Sequence, residues 1–197
     1  NSKNSVGVGI PGSSSKENGL IKNANSIWLN GKPFKKDLET NLDREIKIMN
    51  DANCFALSEA IDGSGANYST VWGVIIGSGF GGSFVHNKRV VEGVNQVAGD
   101  WGHQPLPYPR KEEWDLNLKC PVDNCGRPLC AEQFISGIGF TSIFNKKYKT
   151  NFTTKEIVDL ELNGDERAKK EIDLYEDRFA RLIAVMIGIV DPDVIIL

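Results

Sequence analysis

Several things are missing from this 197-residue chain. No apolar run approaches the roughly 20 residues that a membrane-spanning helix needs. The amino end, Asn1-Ser2-Lys3-Asn4-Ser5, has no signal-peptide layout. The net charge is only -3, which gives no electrostatic case for binding nucleic acid or an anionic membrane surface. There is no internal repeat, and no glycine segment has the spacing of a P-loop or of the dinucleotide fingerprint. Cysteine is scarce: of four, three (Cys120, Cys125 and Cys130) fall within eleven residues. That distribution speaks against a disulfide scaffold and, in a reducing compartment, for metal ligands. What is present, 40% hydrophobic and 25% charged residues, fits a globular protein with one good core or two small ones, expected in the cytoplasm. The chain starts just before one apolar run and stops inside another, so a fragment of a longer protein is expected.

Patterning predicts strands over Val6–Ile10, Glu45–Met49, Thr70–Ile76 and Asp193–Leu197, with a hairpin whose arms are 83–85 and 89–91. Helices are expected over 35–42, from Cys54 through Ile61, and over 131–144. A further helix follows the capping box Thr153-Thr154-Lys155-Glu156 and stops at Asn163-Gly164. Residues 165–190 form a long one, with an apolar stripe through Ile172, Tyr175, Phe179, Leu182, Ile183, Met186 and Ile189. Strands alternating with helices make the fold class α/β or α+β. Residues 103–131 have too few apolar side chains for a core, and a loop that long needs a function or a staple.

Asn50-Asp51-Ala52-Asn53 joins a strand to a helix. An Asp there lies at a sheet rim, where α/β proteins bind ligands, and near a helix N-terminus that favours its ionised form. The plainer role for Asp51 or Asn53 is a helix cap. Gly77-Ser78-Gly79-Phe80-Gly81-Gly82 offers backbone amides and a hydroxyl to an anion, or is a bare glycine turn. Ala98-Gly99-Asp100-Trp101-Gly102-His103 sets a carboxylate and an imidazole three residues apart. One His with three Cys makes a closed tetrahedral zinc site. The cysteines are more loosely spaced than common zinc clips, so three reduced thiols are the other reading. Glu132, just after Cys130, opens a helix whose dipole favours its charge.

Taken in order, Gly9-Ile10-Pro11-Gly12, Asn50-Asp51-Ala52-Asn53, Gly77-Ser78-Gly79 with Gly81-Gly82, Ala98 to His103, Cys125-Gly126 and Cys130-Ala131-Glu132 resemble the ROK family of bacterial sugar kinases and sugar-responsive repressors. The segment Lys22 to Gly31, with Pro33-Phe34 and Lys36-Asp37-Leu38, resembles its fructokinase (manno/fructokinase) branch. Cys54-Phe55-Ala56-Leu57-Ser58-Glu59 is shared with the N-acetylglucosamine kinase branch.

The resemblance implies an actin-like, ribonuclease-H-like α/β fold of two lobes holding sugar and ATP. Residues 1–48 would be a remnant of the small lobe and 49–197 the large lobe, with a zinc-binding loop near 103–132. It implies an ATP-dependent hexose kinase acting on a 6-hydroxyl, most simply of fructose, with N-acetylglucosamine or another hexose as the alternative substrate and a repressor as the alternative class. By position, Asp51 would be the general base; Asn50, Asp100, His103, Glu132 and the backbone of Gly12 would bind the sugar. Gly77, Ser78 and Gly79 would hold the phosphates of ATP with Mg2+, and His103, Cys120, Cys125 and Cys130 a structural Zn2+. Assembly as a homodimer is an expectation, as is little turnover by residues 1–197 alone. The chain departs from the family pattern at Asp100 (usually Glu), at Ser78 (usually Thr) and at Asp123, which stands where the first cysteine normally falls. Cys120 or Asp123 would then complete the zinc site.

Overall fold

The computed structural model describes residues 4–116 and 125–197. In chain order the elements are β1 (Val6–Ile10), β2 (Ser13–Ser14), β3 (Ile21–Lys22), α1 (Phe34–Leu42), β4 (Ile46–Asn50), α2 (Asp51–Ile61), β5 (Thr70–Ile76), β6 (Phe80–His86), β7 (Arg89–Val90), α3 (Lys111–Asp115), α4 (Glu132–Ile135), α5 (Gly137–Tyr148), α6 (Thr154–Leu162), α7 (Glu166–Val190) and β8 (Val194–Ile196). They form two compact units. One comprises Asn1–Gly73, Gly82–Gly99 and Asp193–Ile196; the other comprises Val74–Gly81, Asp100–Pro192 and Leu197.

In the first unit β1 and β4 pair in parallel, from Val6 opposite Ile46 to Ile10 opposite Asn50. Parallel strands in this register end together, so Pro11-Gly12 and Asn50-Asp51 leave the sheet at the same edge. Ile10, Ile21 and Ala24 are buried there under Val8, Leu29, Phe34 and Ile48. A second sheet has the order β7-β6-β5-β8. Its strands lie against α2 through Ala56, Ala60, Val71 and Val85. The Asp193 carboxylate accepts the N–H groups of Ser69 at 3.1 Å and Thr70 at 2.7 Å, which pins β5 beside β8 where the parallel pairing begins.

The second unit is mainly helical. Phe140, Phe144, Ile157 and Ala168 join α5, α6 and α7 into one core. The fully buried Phe144 and Ile157 each contribute on the order of 1.5–3 kcal/mol by leaving water. The predicted capping box is formed: Thr153 Oγ1 accepts from Glu156 N, and the Glu156 carboxylate accepts from Thr153 N.

Four expectations change. The helix predicted over 131–144 is broken at Ser136, whose backbone turns extended (φ -64, ψ 152) so that its hydroxyl can accept from Gly139 N and start α5. The second helix begins at Asp51 rather than Cys54, because Asn50 supplies its cap. The glycine run shortens to a turn at 77–79, since Gly81 and Gly82 lie inside β6. On α7, Ile189 is 72% exposed, while the charged Glu171 and Arg178 are among the buried side chains.

Candidate active site

At the shared edge of β1 and β4, Asn50 has two duties. Its Oδ1 accepts from Asn53 N at 3.2 Å, capping α2, and its Nδ2 donates to the Gly12 carbonyl at 3.2 Å. The cap expected of Asp51 or Asn53 is therefore supplied one residue earlier. Asp51 is left as the first helical residue, exposed, with Oδ1 accepting the adjacent Ala52 N–H at 2.9 Å. Asn53 Oδ1 instead accepts from the buried Ser83 hydroxyl at 2.6 Å, tying α2 to β6. Gly12 has φ +100, and a Cβ there would lie 2.7 Å from the Lys22 carbonyl oxygen. Glycine is thus required where β1 turns toward β2. Burial, and then the negative charge of Asp51, push the Cys54 thiol above its ordinary range. A protonated thiol is a poor nucleophile.

The second unit holds the other predicted residues. Pro105 bridges to Cys130, Leu106 N donates to Leu129 O, and Ala131 N donates to Gln104 O. This short antiparallel ladder brings His103 beside Cys130, with Nδ1 3.5 Å from Sγ. The donor atoms of His103, Cys125 and Cys130 all lie within 4.8 Å of one another. Zinc binds thiolate at about 2.3 Å and imidazole at about 2.0 Å in a tetrahedron, so three donors this close fit it with little adjustment. Cys120 and Asp123, the two candidates for a fourth ligand, lie outside the described residues.

Glu132 is 5% exposed; its Oε2 accepts from Phe80 N at 3.1 Å, and its own N–H donates to the Gly102 carbonyl at 2.8 Å. Through its carboxylate and its backbone N–H, Glu132 thus links the cysteine segment to the first residue after the glycine turn and to Gly102. In that turn Gly77 N donates to Gly79 O, and the Gly77 carbonyl accepts from Gly137 N at 2.8 Å. The turn opens on a pocket of about 640 Å³ continued by α5, α6 and α7. Asp100 is exposed.

The ROK family model matches residues 1–197. The chain belongs to the ROK family. It is 38% identical over 195 residues to an N-acetyl-D-glucosamine kinase of Escherichia fergusonii, covering 99% of this chain and 64% of that relative, so it spans less than two thirds of the relative's length. Among solved structures it is similar to the ROK hexokinase of Thermus thermophilus, with a TM-score of 0.81 and 24% identity over 97% of this chain and 60% of that one. It is likewise similar to a ROK glucokinase of Streptomyces griseus solved with glucose and AMPPNP, with a TM-score of 0.75 and 20% identity over 97% and 64%. The fold is the α/β, actin-like fold of ROK sugar kinases. Among the described residues, no helix of this ROK chain is long and apolar enough to cross a membrane.

Sequence reading missed three features of this ROK chain. The Ser83–Asn53 bond joins residues 30 apart in sequence, which local pattern does not pair. The pocket wall lies at Thr154, Val158 and Glu161, spaced i, i+4 and i+7 on one face of α6, a spacing that marks a face without saying what it faces. The third is Glu113, buried against two arginines of α7.

Proposed function

We propose that the whole protein is an ATP-dependent hexose kinase of the ROK family that phosphorylates the 6-hydroxyl of N-acetylglucosamine. The expectation of fructose gives way here, because the 38% identity is to an N-acetyl-D-glucosamine kinase and extends along nearly the entire chain. Asp51 supports the catalytic part of the reading: its carboxylate is exposed at a strand end, relieved of capping by Asn50, and without an ion-pair partner among the described residues.

In the proposed reaction the sugar hydroxyl oxygen attacks the γ-phosphorus, the bond to the β-phosphate oxygen breaks, and ADP leaves. The hydroxyl proton passes to a carboxylate oxygen of Asp51. Such a base contributes typically about a hundred- to ten-thousand-fold, the rest coming from positioning and charge neutralisation. Asn50, the Gly12 backbone, Asp100, His103 and Glu132 keep the sugar-hydroxyl roles that the family resemblance implies. Carboxylates, amides and imidazole are the groups that receive hydroxyls with a defined direction. Gly77, Ser78 and Gly79 are assigned to the phosphates, with Mg2+ carried on the nucleotide. The zinc assigned to His103, Cys125, Cys130 and a fourth ligand would be structural, stiffening a segment with little apolar surface of its own. Residues 1–48 remain assigned to the small lobe and 49–197 to the large one.

The test is a panel of N-acetylglucosamine, fructose, mannose and glucose with ATP on the full-length protein, with Asp51→Asn beside it. N-Acetylglucosamine should have the highest kcat/KM. Asp51→Asn should lose at least about a hundredfold in kcat while sugar binding persists. A higher kcat/KM for fructose would restore the fructokinase reading, and unchanged kcat in the variant would remove Asp51 as base.

A further inference from the structure

The first turn of α2 is tethered from two sides by polar bonds. On one side Asn50 Nδ2 donates to the Gly12 carbonyl at 3.2 Å. On the other, the hydroxyl of Ser83, at the middle of β6, donates to Asn53 Oδ1 at 2.6 Å. Asn53 N in turn donates to Asn50 Oδ1 at 3.2 Å, so three bonds run in series from β6 through the helix start to the turn after β1. Asp51 rides on this turn, and its Oδ1 accepts from its own neighbour Ala52, a bond within the turn itself. The direction of its carboxylate therefore follows that of the turn. The buried side chains of α2, Ala56 and Ala60, begin further along, whereas residues 51–55 are exposed or half-buried. Ser83, by contrast, is 0% exposed. A hydroxyl so far from water is costly to leave unpaired, and a carboxamide oxygen can only accept, so the bond also fixes which way round the Asn53 amide sits.

Resting on the reading of Asp51 as general base, we propose that Ser83 is a positioning residue for phosphoryl transfer. By holding Asn53 it sets the first turn of α2 so that the Asp51 carboxylate meets the attacking hydroxyl. Ser83 is buried beyond the reach of a substrate and acts through Asn53 and the turn. Without its hydroxyl the turn keeps a single side-chain tether, Asn50 to Gly12, and can swing about it. A displacement of about 1 Å at a reacting group costs on the order of a hundredfold in rate. The bond between Asn50 and Gly12, two groups assigned to the sugar, persists without Ser83, so the cost falls on the chemical step rather than on sugar binding.

The test is a double-mutant cycle on the full-length protein: wild type, Ser83→Ala, Asp51→Asn and the double variant. For each, kcat is measured with ATP and the hexose that the wild type turns over fastest, and the affinity for that sugar by calorimetry. Ser83→Ala should lower kcat roughly 10- to 100-fold while sugar affinity stays within about twofold of wild type. In the Asp51→Asn background the same substitution should cost almost nothing more, because residues that act as a unit are not additive. Unchanged kcat in Ser83→Ala, with turnover lost in Asp51→Asn, would overturn the proposal and leave the kinase reading intact. An equal fractional loss in both backgrounds, or loss of sugar binding along with kcat, would show that Ser83 merely supports the fold and would overturn the proposal too. Unchanged kcat in Asp51→Asn would instead remove the base reading on which the proposal rests.

Discussion

Replacing Glu113 by Gln should destabilise the second unit severely. The Glu113 side chain is 3% exposed and faces Arg178, 4% exposed, and Arg181, 14% exposed. Its Oε1 accepts from Arg178 Nε at 3.0 Å and from Arg181 Nη2 at 2.5 Å; its Oε2 accepts from Arg110 N at 2.8 Å and from Arg181 Nη1 at 3.3 Å. Arg181 Nη1 also donates to the carbonyls of Pro107 at 2.6 Å and Tyr108 at 2.9 Å, so the cluster fastens residues 107–113 to α7. Glutamine keeps the shape but has a single acceptor oxygen and no charge, leaving the Arg178 guanidinium buried without compensation. Breaking a buried pair from one side costs about 3–5 kcal/mol. Urea unfolding followed by tryptophan fluorescence at pH 7 would measure it.

The pH dependence makes the test sharper. Burial raises the Glu113 carboxyl pKa, but the bonds from Arg181, the Arg110 N–H and Arg178 outweigh it and hold the group below its usual range. A depressed folded pKa means that the stabilisation is complete above the ordinary carboxylate range and is lost as pH falls through the folded value. The gap between wild type and Glu113→Gln should therefore narrow in acid. Adding Arg178→Met should recover part of the loss, because it removes the stranded charge. Methionine can still cover the Phe134 ring, which the guanidinium now overlies at 5.2 Å. A Glu113→Gln protein within about 0.5 kcal/mol of wild type at pH 7, or a gap unchanged in acid, would refute the reasoning.

Three more outcomes are expected. Gly12→Ala should cost more than about 1 kcal/mol in denaturant unfolding, because φ +100 is strained for alanine and its Cβ meets the Lys22 carbonyl. Asn50→Ala should cost about 0.5–2 kcal/mol through the lost cap; Asn50→Asp should keep the cap but lose the bond donated to Gly12, so equal stability of Asp and Asn at 50 would show that this bond contributes nothing. Metal analysis of freshly purified protein should return one zinc per chain, and chelation should lower Tm; a metal-free protein of unchanged Tm would remove the zinc assignment.

Much of the fold was legible because local rules and burial agree. Val6–Ile10 and Thr70–Ile76 read as strands and are strands, and the Thr153 capping box and the Asp165 start of α7 form as written. The break at Ser136 was not legible: Gln133 to Phe144 is apolar enough for one helix, and the interruption depends on a hydroxyl folding back to Gly139. The stripe on α7 was right for Leu182 and misleading for Ile189, since periodicity marks a face without fixing where along the helix that face is covered.

By itself the sequence determined the order of strands and helices, the family motifs, and the crowding of thiols near His103, since these depend on residue type and spacing along the chain. Only the tertiary structure decided which member of Asn50-Asp51-Ala52-Asn53 caps α2, that Glu132 reaches Phe80, and that Glu113 is buried between Arg178 and Arg181. Each of these joins groups distant in sequence or competing for one donor, and such contacts follow from three-dimensional packing rather than from local pattern.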